Sequence, residues 1–214
     1  MGNSSTVTNV LIVDDHPPMR LVIRLQLSQV LGVAQVFEAD NGHEAVQLVR
    51  HAQPGLVLLD LDLPRLNGLD AIPRIQRLQP AVRILVISAQ SAAVYAPRVQ
   101  TAGAHGFISK TRHIPDILRA IEAVLSGYKV YPDHGRADVP ANDAETARLV
   151  GRLSDREIMV MQMLVRGMSN KEIGKTLYIS NKTVSTYKTR LMRKLGVGSL
   201  VELVDLARKH QISY

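Results

Sequence analysis

Residues 56–68 read Leu-Val-Leu-Leu-Asp-Leu-Asp-Leu-Pro-Arg-Leu-Asn-Gly, and this stretch decides the fold. Four apolar residues run directly into the carboxylate of Asp60, and a proline and an Asn-Gly pair follow. A short apolar run that is bounded by turn residues is typical of a buried strand in a parallel sheet. In open α/β sheets, ligands bind beyond the carboxyl ends of the strands. The pattern therefore predicts that Asp60 lies at a ligand-binding edge of a sheet.

Apolar runs and helical patterns alternate on both sides of this strand. Five segments have the composition of buried strands, at about 9–13, 34–38, 56–60, 83–88 and 106–109. Four intervening segments have helical periodicity, at about 17–30, 44–52, 68–78 and 114–125. Pro97 is expected in the first turn of a further short helix, after an irregular segment at 91–95. This alternation predicts an α/β fold, a doubly wound five-stranded parallel sheet of flavodoxin-like type.

The rest of the chain divides into a tail, a linker and a helical domain. Residues 1–8 are expected to be a disordered tail, with the sheet domain at 9–131. Residues 132–150 are predicted to be a linker, because they combine few apolar residues with no periodicity. Residues 151–214 predict an all-α domain with four helices, at 154–166, 170–177, 181–195 and 200–210. A serine precedes each of these helices or begins it, and three of the serines are followed three residues later by a glutamate, as in a capping box.

Composition and charge limit the classes of function. There is no cysteine, which excludes disulfides and cysteine-ligated metals, and no apolar run is long enough for a membrane span. Residues 1–150 carry 14 Lys/Arg and 14 Asp/Glu, whereas residues 151–214 carry 12 and 5. The whole excess of +7 therefore lies in the last 64 residues. Such asymmetry indicates a neutral unit joined to one that binds a polyanion.

The first cluster that carries chemistry is acidic. Asp14 and Asp15 follow the first predicted strand as Asp60 follows the third, and these strands are neighbours in the common order 2-1-3-4-5. Three carboxylates at one edge repel one another unless a cation joins them, and oxygen ligands suit Mg²⁺. Ser88 and Lys110 end the fourth and fifth strands at the same edge. A hydroxyl and an ammonium beside such a cation are the donors that a phosphoryl group needs.

The second cluster is basic. Between residues 173 and 201 there are six Lys/Arg and no acid. Val184, Leu191 and Leu195 are spaced as the buried stripe of a helix over 181–195. The outward positions of this helix combine cations with small hydroxyl residues: Lys182, Ser185, Thr186, Thr189, Arg190 and Arg193. A short helix, a tight turn and a basic second helix are typical of a helix-turn-helix, whose second helix fits the DNA major groove.

Residues 9–130 resemble the receiver domain of bacterial two-component response regulators. The matching residues are Asp14-Asp15, Asp60 with Pro64 and Gly68, Ser88, and Lys110 preceded by Gly103–Phe107. The resemblance implies that Asp60 is the phosphoacceptor. It also implies that Asp14, Asp15 and Asp60 bind Mg²⁺ together with the backbone carbonyl of Asp62. Ser88 and Lys110 would hold the phosphoryl group, and Phe107 matches the aromatic residue that turns inward when the hydroxyl moves.

Residues 152–210 resemble the LuxR/FixJ-type helix-turn-helix. The match rests on four stretches, 153–157, 167–173, 180–184 and 194–197. The whole chain thus resembles the NarL/FixJ class of response regulators, in particular the BvgA/EvgA-like group, through Ser-Asn-Lys-Thr-Val-Ser-Thr-Tyr-Lys-Thr-Arg at 180–190. The implied DNA-binding residues are Lys182, Thr183, Ser185, Thr186, Lys188, Thr189, Arg190 and Lys194. Leu200, Leu203, Val204 and Ala207 resemble the dimerisation surface of the class. Internal packing is the other interpretation, and the two are compatible.

These features predict a cytoplasmic transcriptional regulator that is not an enzyme and does not bind membranes. A sensor histidine kinase is expected to phosphorylate Asp60 with Mg²⁺, and the phosphorylated protein is expected to form a homodimer that binds double-stranded DNA and works with RNA polymerase. One alternative is a Mg²⁺-dependent aspartyl-phosphate phosphohydrolase, but the sequence offers no general acid and no substrate pocket for it. Another alternative is a DNA-binding regulator whose activity does not depend on phosphorylation. The presence of all three carboxylates, Asp14, Asp15 and Asp60, argues against it.

Overall fold

A computed structural model describes residues 8–28, 30, 32–132, 145 and 148–209. The chain separates into two compact units, residues 1–132 and 133–214. The predicted disordered tail lies outside the described residues except for Thr8, which begins the first strand. Most of the predicted linker at 132–150 also lies outside them.

The first unit is a five-stranded parallel sheet with helices on both faces, as the sequence predicts. Its strands are β1 (Thr8–Val13), β2 (Val33–Ala39), β3 (Leu56–Leu59), β4 (Arg83–Ser88) and β5 (Gly106–Ser109). Its helices are α1 (Pro17–Leu27), α2 (Gly42–Ala52), α3 (Gly68–Leu78), α4 (Ala92–Ala102) and α5 (Ile114–Leu125). The strand order is β2-β1-β3-β4-β5. This order makes β1 and β3 neighbours, so the residues that follow them meet at one edge.

Alternating residues of the central strands build the core. One set faces α1 and α5 and includes Ile12, Leu58 and Leu85, all almost fully buried. All four residues of β3 are buried, because the sheet is covered on both faces. Burial of such side chains contributes roughly 1.5–3 kcal/mol each, which holds the strand ends and their carboxylates in place.

The α4 helix corrects one prediction. It begins at Ala92, so the segment 91–95 is mostly helical, and Pro97 is its sixth residue rather than part of its first turn. A proline inside a helix costs about 3 kcal/mol. Burial of Val94, Tyr95 and Val99 offsets this cost, because each large apolar side chain contributes roughly 1.5–3 kcal/mol. Tertiary packing therefore decides where α4 begins.

A short segment after α5 returns to the sheet. The Val130 carbonyl accepts from the Phe107 amide at 2.8 Å, and Val130 forms a parallel bridge with Gly106. The Tyr131 hydroxyl donates to the Ala104 carbonyl at 2.5 Å. Glycine at 106 allows this approach, because a Cβ there would lie 2.7 Å from the Val130 carbonyl oxygen. We call residues 130–131 the return segment, and it covers the outer edge of β5.

The second unit contains the four predicted helices: α6 (Asp155–Val165), α7 (Asn170–Leu177), α8 (Asn181–Leu195) and α9 (Leu200–Lys209). Ser154 and Ser169 form the predicted capping boxes, and Ser180 caps α8 alone. At α9 the pattern differs, since Ser199 accepts from the Glu202 amide while the Glu202 carboxylate accepts from the Gly198 amide. Among the described residues of both units, no helix is long and apolar enough to cross a membrane.

Candidate functional site

Three carboxylates meet at the carboxyl edge of β1 and β3. Asp14 and Asp60 are 3% and 2% exposed, and Asp15 is exposed. Oxygen atoms of all three, together with a ring nitrogen of His16, lie within 4.8 Å of one another. Backbone hydrogen bonds to the sheet hold Asp14 and Asp60 in position. The Asp60 amide donates to the Val13 carbonyl of β1 at 2.8 Å, and the Asp14 amide donates to the Ala39 carbonyl of β2. We call Asp14, Asp15 and Asp60 the acidic pocket.

Lys110 reaches into the acidic pocket from the end of β5. Its ammonium lies 2.7 Å from one oxygen of Asp14 and 2.7 Å from one oxygen of Asp60. Burial lowers the pKa of Lys110, but the Asp60 and Asp14 carboxylates outweigh burial and raise the pKa above its usual value. Burial raises the pKa of Asp60, and Lys110 opposes this shift without cancelling it. Three carboxylates meet one ammonium here, so the formal charge of the pocket is negative.

Ser88 ends β4, and Phe107 lies two residues before the matching end of β5. Ser88 is fully buried at the end of β4, and its carbonyl accepts from the Lys110 amide at 2.9 Å. Phe107 is 1% exposed in β5 and pairs with Val86 of β4. The aromatic ring is therefore buried in this structure. Asp14, Asp15, Asp60, Ser88 and Lys110 thus belong to one edge of the sheet, whereas Phe107 lies within β5.

The loop after β3 carries Asp62 on this edge. The Asp62 carboxylate is not a free charge, because the side-chain amide of the buried Gln90 donates to both of its oxygens at 2.9 and 2.7 Å. The Gln90 backbone amide in turn donates to the Ser88 hydroxyl. Glycine at 68 allows the first residue of α3 to pack closely on the backbone of Asp60. A Cβ at this position would lie 2.1 Å from the Asp60 carbonyl oxygen. The loops after β3 and β4 are thereby joined next to Asp60.

The acidic pocket fits Mg²⁺ by its donor set. Its members offer carboxylate oxygens, which are hard ligands that suit this ion and leave room for water. The excess negative charge beside Lys110 also favours a divalent cation. His16, whose ring nitrogen lies 2.7 Å from Asp15, adds a nitrogen at the rim of the pocket.

Sequence reasoning missed His16 and Arg20 near the pocket, and it did not predict the contacts of Gln90. His16 is adjacent to the acidic pair, Gln90 stands two residues after Ser88, and Arg20 donates to the Asp14 carbonyl from one turn into α1. Proximity in the sequence could have indicated His16. The partners of Gln90 and Arg20 depend on the folded loops, and no spacing rule reveals them.

The α8 helix presents a continuous basic face. Val184, Leu191 and Leu195 are buried, as predicted from their spacing. The opposite side is exposed and forms a shallow concave surface that we call the basic face, lined by Lys182, Ser185, Thr186, Thr189, Arg190 and Arg193. Arg193 belongs to this surface although it was not among the residues implied by the resemblance. Cations with short hydroxyl side chains between them can contact both phosphates and base edges.

Three residues of the predicted DNA-binding set are less available for DNA contacts than the residues of the basic face. The Lys194 ammonium lies 2.6 Å from the Glu157 carboxylate of α6, which gives it a partner inside the domain. Thr183 shares a hydrogen bond with Ser180 at the start of α8. Lys188 is half-buried. These three remain predictions as DNA contacts.

The predicted dimerisation surface needs a correction. Leu203 and Ala207 are 0% exposed, because they pack inside the second unit, so neither side chain is available to a partner. Leu200 stays accessible, Val204 is half-buried, and the neighbouring Val201 is 70% exposed. Helical periodicity alone could not tell which face of α9 packs inward.

Two protein families account for the two units. Residues 10–122 match the family described as "Response regulator receiver domain", and residues 151–207 match "Bacterial regulatory proteins, luxR family". The chain is 44% identical over 207 residues to a putative transcriptional regulator of Pseudomonas aeruginosa, covering 96% of this chain and 100% of the relative. It is 40% identical over 206 residues to the virulence factors putative positive transcription regulator BvgA of Bordetella pertussis, covering 95% and 98%.

A solved structure agrees with these relatives. RcsB from Salmonella enterica serovar Typhimurium, bound to promoter rprA in the presence of the phosphomimetic BeF3⁻, superposes with a TM-score of 0.69 at 26% identity, covering 94% of this chain and 98% of that one. The families and relatives are regulators, which weighs against the phosphohydrolase alternative. The chain belongs to the NarL/FixJ-type response regulators, DNA-binding transcriptional regulators that join a receiver domain to a LuxR-type helix-turn-helix domain.

Proposed function

We propose that Asp60 accepts a phosphoryl group from a sensor histidine kinase and that this reaction controls DNA binding. A carboxylate oxygen of Asp60 attacks the phosphorus, the bond from phosphorus to the histidine nitrogen of the kinase breaks, and an acyl phosphate forms. The observation that carries the proposal is Lys110, whose ammonium lies 2.7 Å from both Asp14 and Asp60. This cation, whose side chain is 12% exposed, lies beside the acceptor and stabilises the charge that develops on the phosphoryl oxygens.

Asp14, Asp15 and Asp60, with the backbone carbonyl of Asp62, would hold Mg²⁺. When bound, the ion neutralises carboxylate charge and orients the phosphoryl oxygens. Asp14 keeps one oxygen on Lys110, and the amide of His16 donates to its other oxygen at 2.9 Å. These contacts hold the Asp14 carboxylate in position toward Asp60 before the reaction starts.

The new phosphoryl group, with a charge of about −2, would then draw the Ser88 hydroxyl and Lys110 toward it. The Ser88 hydroxyl now accepts from the Gln90 amide, so its movement changes the loop between β4 and α4. Phe107, buried in β5 beside β4, would follow the hydroxyl. We propose that this rearrangement favours a homodimer and frees the second domain to bind DNA.

The basic face is the proposed DNA-binding surface. Ser185, Thr186 and Thr189 would meet base edges in the major groove, while Lys182, Arg190 and Arg193 would bind phosphates. The RcsB structure, which contains promoter DNA, supports this assignment by its similarity. Leu200 and Val201 of α9 offer accessible apolar side chains for pairing of two copies. Because the target is a promoter, we also propose a cytoplasmic site of action and RNA polymerase as a partner.

The experiment compares DNA binding with and without a small-molecule phosphodonor plus Mg²⁺, in the wild type and in Asp60→Asn. We expect the phosphodonor to increase the affinity of the wild type alone, because the asparagine amide cannot form the acyl phosphate. Mass spectrometry of the intact protein reports the phosphoryl group independently. Equal enhancement in both proteins would show that Asp60 is not the switch.

A further inference from the structure

Arg20 of α1 joins the acidic pocket to the sheet by two hydrogen bonds. Its Nη1 donates to the backbone carbonyl of Asp14 at 2.7 Å, and its Nε donates to Oε2 of Glu38 in β2 at 3.0 Å. The Arg20 side chain is only 17% exposed. A guanidinium that is mostly buried and has two fixed acceptors holds one geometry, because its fork of donors is rigid.

These bonds close a ring that contains both backbone polar groups of Asp14. The Asp14 amide donates to the Ala39 carbonyl of β2 at 3.1 Å, and its carbonyl is bound by Arg20, which is anchored on the adjacent Glu38. The peptide between Asp14 and Asp15 is thus held in one orientation. The position of the Asp15 carboxylate depends on this fixed peptide more than that of Asp14. The Asp15 carboxylate is exposed, whereas the Asp14 carboxylate is buried and packed in place.

We propose that Arg20 is a positioning residue for the acidic pocket. It fixes the turn at Asp14 and Asp15 so that both carboxylates face Asp60 before a cation binds. This inference rests on the proposed function, since it requires that the acidic pocket binds Mg²⁺. Partners of metal ligands typically change metal affinity 10- to 100-fold when they are removed.

Charge and position predict opposite results for the loss of Arg20. The guanidinium is a cation close to the pocket, so its charge alone weakens the binding of Mg²⁺, and its removal would tighten binding. If Arg20 instead positions the carboxylates, its removal loosens binding. The sign of the change in Mg²⁺ affinity therefore separates the two roles.

Arg24 is a matched control on the same helix. Its Nη1 donates to Oε1 of the same Glu38 at 3.1 Å, but its side chain is 55% exposed and its described bond does not include Asp14. Arg24→Ala removes one positive charge and one bond to Glu38, and it leaves the bond to the Asp14 carbonyl in place. We expect the Mg²⁺ affinity of this variant to stay within about twofold of the wild type, because exposed ion pairs contribute little.

The experiment titrates Mg²⁺ into the full-length proteins by calorimetry and measures phosphorylation by a small-molecule phosphodonor against Mg²⁺ concentration. Arg20→Ala is expected to raise the Mg²⁺ Kd about tenfold. The Mg²⁺ concentration for half-maximal phosphorylation should rise alike, while the rate at saturating Mg²⁺ stays close to that of the wild type. An unchanged or lower Kd in Arg20→Ala would overturn the proposal.

Arg20→Lys keeps the charge but cannot span both acceptors, so it should also raise the Kd. If Arg20→Ala does not fold, Arg20→Lys decides the matter, and a wild-type Kd in that variant would contradict the proposal. Failure of the proposed function has a different signature, because then the wild type itself would show neither Mg²⁺ binding nor phosphorylation.

Discussion

At the scale of single residues, polar groups in the receiver domain depend on partners from distant parts of the chain. Lys110 contacts the carboxylates of Asp14 and Asp60, which directly follow strands β1 and β3. Gln90 binds the carboxylate of Asp62. His105 is a further case at the opposite edge of the sheet, where its Nδ1 accepts from the Ile84 amide at 3.2 Å. Because His105 can accept this bond only while its Nδ1 is unprotonated, the bond ties the stability of the fold to one protonation state.

His105 should make the stability of the receiver domain sensitive to acid. Burial, with Arg83 and Lys129 nearby, lowers the pKa of His105 below its usual value of 6.5. As pH falls below about 6.5, the unfolded chain therefore binds a proton that the folded state does not, and the free energy of unfolding decreases. Urea unfolding at about pH 7.5 and about pH 5.5 should show a larger loss in the wild type than in His105→Asn.

His51→Asn is the control for this prediction, because His51 lies on the exposed surface of α2. The asparagine at 105 keeps an oxygen that can accept from Ile84. Equal acid losses in the wild type and His105→Asn would mean that His105 does not contribute to the pH dependence.

At the scale of elements, the return segment decides how β5 ends the sheet. Val130 and Tyr131 bond to Phe107 and Ala104, so β5 has a neighbour on each side although it is the last strand in order. Burial also raises the pKa of Tyr131 to about 12. The hydroxyl therefore keeps its proton and donates this hydrogen bond throughout the physiological pH range.

Tyr131→Phe should destabilise the receiver domain by about 1–2 kcal/mol, because the Ala104 carbonyl would lose its donor in a half-buried position. Tyr128→Phe removes the same hydroxyl from a side chain that is 70% exposed, and it should change the free energy of unfolding by less than about 0.5 kcal/mol. Urea unfolding of both variants measures the difference. A similar effect of the two substitutions would contradict a structural role for the bond of Tyr131.

Most helices and strands could be predicted from the sequence, whereas contacts between distant segments could not. Apolar runs such as 56–59 and the serine caps predicted most elements, because these signals are local. The start of α4 was mispredicted because burial of its apolar face outweighs Pro97. The roles of Leu203 and Ala207 depend on which face of α9 the domain covers, and Arg20 depends on partners 6 and 18 residues away. Local pattern carries no information on either.

At the scale of the whole molecule, charge is divided between the two domains. The whole net charge of +7 belongs to residues 151–214, whereas residues 1–150 are balanced. On α8, the basic face gathers three of these cations beside short hydroxyl side chains. The second domain therefore supplies the electrostatic attraction to DNA, and the first domain can regulate it without competing for phosphates.

DNA affinity should fall steeply with salt, because bound phosphates release counterions. Lys182→Ala is expected to reduce the slope of log affinity against log salt by about one, since it removes one proposed phosphate contact. Lys129→Ala, an exposed cation of the receiver domain, is the control and should leave the slope unchanged. Titrations of operator DNA at several salt concentrations measure both slopes, and an unchanged slope in Lys182→Ala would remove that residue from the interface.

The return segment also has a consequence for the exchange of domains between regulators. A chimera that is joined directly after α5 would remove Val130 and Tyr131 and leave the backbone groups at the edge of β5 open, a surface on which strands of other molecules add. A chimera that is joined after Pro132 keeps this edge closed within its own module. A new output domain should therefore be attached beyond Pro132, where the first compact unit ends.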